Sequence, residues 1–138
     1  MRLRTSYRYP LYAAFAALIL TGAGWLVADW RKDAGDEIWQ QIAANMLMVH
    51  GGVAMLALLL LGALIPLHVQ RSWRGGKNLV SGSVMAAFNA VLIVTAFGLY
   101  YLGSEAVRPF MSWIHLATGF SLAVMLPLHI WLGRRQRR

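Results

Sequence analysis

Cysteine is absent from the 138 residues of this chain. That excludes disulfides, thiolate zinc sites, cysteine-bound iron–sulfur clusters and haem attached through C-x-x-C-H. Acids are scarce. Asp29, Asp33, Asp36, Glu37 and Glu105 are the whole set, and none lies within an apolar run. Charged residues make up 13% of the chain against 59% hydrophobic, a balance that argues against an ordinary soluble domain. The formal charge of +8 would suit nucleic acid or an anionic surface. However, the basic residues sit in the gaps between apolar runs, where membrane topology puts them. Nucleic acid is therefore not an expected partner, and membrane lipid is.

What is present is apolar sequence in four long runs, at about 11–28, 43–67, 80–102 and 110–132. About 20 apolar residues cross a bilayer core, and lipid cannot satisfy a backbone N–H, so each run must be a helix. The first run begins after Arg2 and Arg4 and ends at Ala28, like a secretory leader. Leu26 is too bulky for the cleavage site this would need, so the run is expected to stay as a span. The expected fold is one all-α transmembrane domain over 1–138, a four-helix bundle running up-down-up-down.

The basic residues orient it. Arg2, Arg4, Arg8, Arg71, Arg74, Lys77, Arg134, Arg135, Arg137 and Arg138 fall on one side of four spans. Only Arg31, Lys32 and Arg108 fall on the other, together with every acid. Positive-inside topology then puts both termini in the cytoplasm. Trp and Tyr agree as interfacial anchors: Trp25, Trp30, Trp39, Tyr100, Tyr101 and Trp113 outside, with Tyr7, Tyr9, Tyr12, Trp73 and Trp131 inside.

The two halves resemble each other. Ala13-Ala14-Phe15 is matched by Ala86-Ala87-Phe88, and Ile65-Pro66-Leu67-His68-Val69 by Leu126-Pro127-Leu128-His129-Ile130. This pattern predicts two helical hairpins related as a parallel repeat. All four histidines, His50, His68, His115 and His129, lie in or at the end of the second and fourth runs. Ionisable residues within a membrane are costly and usually functional.

His50 and His68 are 18 residues apart, about five turns of a regular helix, and His115 and His129 are 14 apart, just under four. Each pair should share a face, with His50 and His115 at the outer level and His68 and His129 at the inner one. One imidazole from each helix at each level would bind a haem iron from both sides. The rises differ, about 27 Å against about 21 Å. Ligation by both pairs therefore predicts a kink or irregular turn between Gly62 and His68, or a bulge near Gly51-Gly52. Gly22, Gly24 and Gly98 would give room beside the outer haem and Gly82 beside the inner, although small-residue packing explains such glycines nearly as well. Arg71, Arg74, Lys77, Asn78 and Arg134 could meet the inner propionates and Arg108 the outer. For any one of the basic residues, topology alone is a sufficient account.

On these histidines the chain resembles the haem-bearing core of bc-type cytochromes b, and is similar to small bacterial dihaem b-type cytochrome subunits. Gly82 and Gly98 are weaker matches. The resemblance implies two haem b groups, His50 with His115 and His68 with His129. It also implies electron transfer across the membrane beside a redox partner subunit, a quinone-linked respiratory complex among the possibilities. The 18-residue spacing is longer than such cores usually show, no Pro-Glu-Trp-Tyr quinol motif occurs, and the first run has no histidine. Gln41, Asn45, Asn89, Ser121 and the outer acids are the groups that could handle a proton. The same histidines would also serve a membrane metal-binding or transport protein, with Met46, Met48 and Met55 near His50 as soft ligands, or a structural assembly subunit.

Overall fold

Backbone hydrogen bonding in lipid leaves long apolar runs one form, and helices are what the computed structural model shows; it describes residues 5–32, 36–76 and 79–135. The helices are α1 (Thr5–Arg31), α2 (Glu37–Leu64), the short α3 (Gln70–Arg74), α4 (Leu79–Tyr101) and α5 (Arg108–Arg135). A π-helical turn, Ile65–Val69, joins α2 to α3. Four helices, the second running from Glu37 to Arg74, are long and apolar enough to cross a membrane. Three of them extend past the apolar run that announced them at both ends, because polar end residues continue the helix into the interface, whereas α4 keeps to its run within one residue. Large apolar side chains stay uncovered on them. Leu20, Leu59, Val94 and Val124 are 71%, 74%, 63% and 69% exposed, which in water would be a severe penalty and in lipid is none.

The helix ends follow from local chemistry. Asp36 caps α2, its carboxylate accepting from the Trp39 N–H at 3.3 Å, and Glu37 puts a second negative charge in the first turn. Gly76, at φ +61°, supplies the left-handed turn after α3, where its N–H donates to the Trp73 carbonyl. Pro109, second residue of α5, stands where a helix needs no donor.

The chain divides into two units, 1–71 and 72–138. In the first, α1 packs on α2. As the α1 residue advances from Thr21 to Gly24 to Arg31, its α2 partner retreats from His50 to Met46 to Trp39, so the two helices are antiparallel. In the second unit α4 packs on α5 in the same manner. Ser81 meets His129, Leu92 meets Gly119, Thr95 meets His115 and Gly98 meets Met111. Among the described residues, Leu11, Ala14, Phe15, Ala28, Ala43 and Ala57 are buried in the first hairpin, and Thr95, Gly98 and Leu122 in the second. Small residues dominate both sets, as close helix contact in a membrane requires.

The irregular turn lies where the proline demands it. Pro66 has no N–H for the Gly62 carbonyl, and the Ile65 N–H donates to that carbonyl instead. The chain then widens, and the Gln70 N–H reaches back five residues to the Ile65 carbonyl. Gly51 and Gly52 remain within regular α2. Pro127, at the matching place in the second hairpin, lies inside an uninterrupted α5. The Pro-Leu-His match is therefore a match of sequence with two different backbones.

Candidate functional site

A histidine in lipid needs a partner for its N–H, and the first histidine of each hairpin finds one on the preceding helix. His50 Nδ1 lies 2.9 Å from Thr21 Oγ1. His115 Nδ1 lies 2.9 Å from Thr95 Oγ1. Both threonines also bond to their own helix: Thr21 donates to the Ala17 carbonyl at 2.6 Å and Thr95 to the Val91 carbonyl at 2.7 Å, the usual back-bonding of hydroxyls in apolar helices.

Proton counting fixes the rest. A hydroxyl has one hydrogen. Two oxygens at 2.6–2.7 Å with no hydrogen between them would repel, so that hydrogen points at the carbonyl. The threonine oxygen must then accept, and Nδ1 must donate. His50 bonds to the Leu18 backbone as well, and an imidazole that donates from Nδ1 carries its lone pair on Nε2. This is the form in which histidine ligates a metal, its other nitrogen held by a hydrogen bond.

His129 Nδ1 lies 3.1 Å from Ser81 Oγ. His115 and His129 thus both face α4, the shared face that their 14-residue separation predicts. The Ser81–Thr95 and His115–His129 separations are equal, so two hydroxyls on α4 stand opposite two imidazoles on α5. His68 lies within the π turn. Counting five regular turns from His50 does not hold through it: a π turn takes in one extra residue and by its end delays the helix by about 100°, one α step. All four histidines are half-buried.

The glycines separate into different roles. A side chain at Gly22 would meet the His50 ring, its Cβ 3.4 Å from Cε1. One at Gly24 would meet Met46 Sδ at 3.1 Å. Gly98 is buried against Leu102 and Met111 of its own hairpin, so helix contact accounts for it. Gly82 has open space where a Cβ would be. Arg71, Arg74, Arg108 and Arg134 are exposed at helix ends, the placement topology requires. Lys77 and Asn78 fall outside the described residues. Of the polar groups that could handle a proton, Asn89 donates to the Met85 carbonyl, Ser121 to the Ala117 carbonyl, and Gln41 to Asn45; each serves its own helix. Among the described residues, no three or more of His, Asp and Glu gather as a metal-holding group.

Sequence reasoning found the histidines but not the hydroxyls that hold them. It gave Thr21, Thr95 and Ser81 no role. Their signal was faint: a hydroxyl within an apolar run, on the helix preceding His50 or preceding His115 and His129. Compared with known proteins, the chain matches no family model, no curated protein and no solved structure.

Proposed function

We propose that this chain is a transmembrane electron carrier holding two b-type haems, the membrane subunit of a redox complex in a bacterial inner membrane. In this reading the two hairpins form an up-down-up-down bundle related by a parallel repeat. His50 and His115 ligate the outer haem, and His68 and His129 the inner one. The observation that supports it is the pair of Thr–His hydrogen bonds at Nδ1 of His50 and His115, with which Nε2 would be the coordinating nitrogen. The donor set also fits: four imidazoles, no thiolate, and no carboxylate within the spans, which suits a haem iron better than a hard cation.

When bound, haem supplies reversible one-electron chemistry at an iron kept six-coordinate by two imidazoles. The chain's own part is to orient those imidazoles, keep water out with apolar helices and present cations to the propionates. Arg71, Arg74 and Arg108 are placed at helix ends where they could do the last of these. Both termini are cytoplasmic, by the distribution of Lys and Arg. A redox partner protein or a quinone in the bilayer would give or take the electron.

The test is the visible absorption spectrum of the purified chain. The expected result is a sharp reduced α band and about two haems per chain. His115→Ala should empty one site and spare most of the other. A colourless chain that instead binds copper or zinc would replace this reading with a metal-binding one, and a colourless chain without metal would leave an assembly subunit.

A further inference from the structure

We propose that Thr21 and Thr95 are positioning residues of the outer haem, each holding its histidine in the Nδ1–H form and lowering the electron affinity of the iron that Nε2 binds. This rests on the haem reading above. A threonine serves in this way in each hairpin. The contact is reached from different sequence separations, 29 residues for Thr21–His50 and 20 for Thr95–His115, yet both Nδ1–Oγ1 distances are 2.9 Å. In both the hydroxyl also contacts two carbonyls of its own helix, at 2.6 and 3.2 Å for Thr21 and 2.7 and 3.2 Å for Thr95. The hydroxyl hydrogen is thus committed to the backbone, and the threonine has only acceptor capacity left for the imidazole. Two β-branched side chains, stiff at χ1 and tied at the hydroxyl, make a rigid acceptor.

An acceptor on Nδ1–H draws that proton away and makes Nε2 the better electron donor. A better donor stabilises the oxidised iron, so the reduced form becomes harder to reach. Removing the acceptor should do the opposite. Thr95 is 3% exposed, so water is a poor substitute for it.

The experiment compares the full-length chain in detergent with Thr21→Val, Thr95→Val and the double variant, and with Thr21→Ser and Thr95→Ser. Valine keeps the shape of threonine without its oxygen, and serine keeps the oxygen. Helix content by circular dichroism shows which variants fold. At a fixed ambient potential, each valine variant should raise the reduced-to-oxidised ratio of one haem several-fold, up to about tenfold. The serine variants should restore it. A role in packing alone would not follow the oxygen, and valine variants with the original ratio would overturn the proposal. Nitrogen-15 spectra of the imidazoles in the metal-free full-length chain test it separately from the haem reading. His50 and His115 should appear as Nδ1–H tautomers, and their Nδ1 signals should shift in the valine variants, where the hydroxyl acceptor is gone. Finding them as Nε2–H tautomers would overturn the proposal even if haem binds, whereas a haem-free chain with the expected tautomers would overturn the haem reading and leave the tautomer-setting role of the threonines standing.

Discussion

Gly22 offers the sharpest perturbation, because its neighbour is the ring whose orientation matters. A Cβ there would lie 3.4 Å from His50 Cε1 and 3.7 Å from Nδ1. Carbon atoms prefer about 3.5–4.0 Å, so Gly22→Ala asks the ring to give by a few tenths of an ångström. The expected cost is well below 1 kcal/mol, within what a small tilt absorbs. Gly22→Leu is different. Its branch must pass the ring or push the helices apart, and overpacking of this kind costs about 1–3 kcal/mol. If the ring turns away, the Thr21 hydrogen bond is lost as well, about 0.6 kcal/mol for an average interhelical bond in a membrane. A loss of about 2–3 kcal/mol at the ligand corresponds to about 30- to 150-fold in affinity. The measurement is haem per chain, with the reduced α band resolving the two sites. Gly22→Ala should retain both haems, and Gly22→Leu should weaken one and spare the other. Gly82→Leu is the companion variant. Nothing in the structure opposes a side chain there, so lost haem in that variant would mean the porphyrin occupies the space. A Gly22→Leu chain with full haem content and unchanged spectrum would refute the placement of His50 as a ligand held against α1.

Pro66→Ala returns an N–H to the Gly62 carbonyl, so the π turn should close into regular helix and His68 should rotate by up to about 100°. Helix content should hold or rise while the inner haem is lost, and an intact inner haem would show that the π turn does not present His68. Asp36→Ala removes the cap on the Trp39 N–H and should cost about 1 kcal/mol, seen as a lower melting temperature with an unchanged haem spectrum. A reporter active only in the periplasm, fused after Arg138, should stay silent; activity would reverse the orientation drawn from the basic residues.

The four spans were legible because lipid leaves an apolar run of that length no other fold. The break near His68 was legible too, since a proline cannot complete its turn and Gly62 is the carbonyl it fails. What that break would become was not. Pro66 opens a π turn and Pro127 does not, although the residues around them match, so a prolyl ring in a helix states a problem and its surroundings choose the solution.

The histidines declared themselves by type, as costly groups in an apolar setting, and the same face of His115 and His129 followed from helical periodicity alone. The partners of His50, His115 and His129 did not follow from it. Periodicity relates residues along one helix, whereas Thr21 meeting His50 depends on how far α1 slides along α2. That slide is set where Arg31 stacks on Trp39 at 5.6 Å and where Gly24 admits Met46. Changing the register by one turn would leave every span and every histidine of the sequence in place and take the hydroxyl away from the ring. Span and candidate ligand were therefore properties of the sequence, and the hydroxyl that meets each of His50 and His115 is a property of the packed hairpin, because only the register of two helices brings a threonine to the ring.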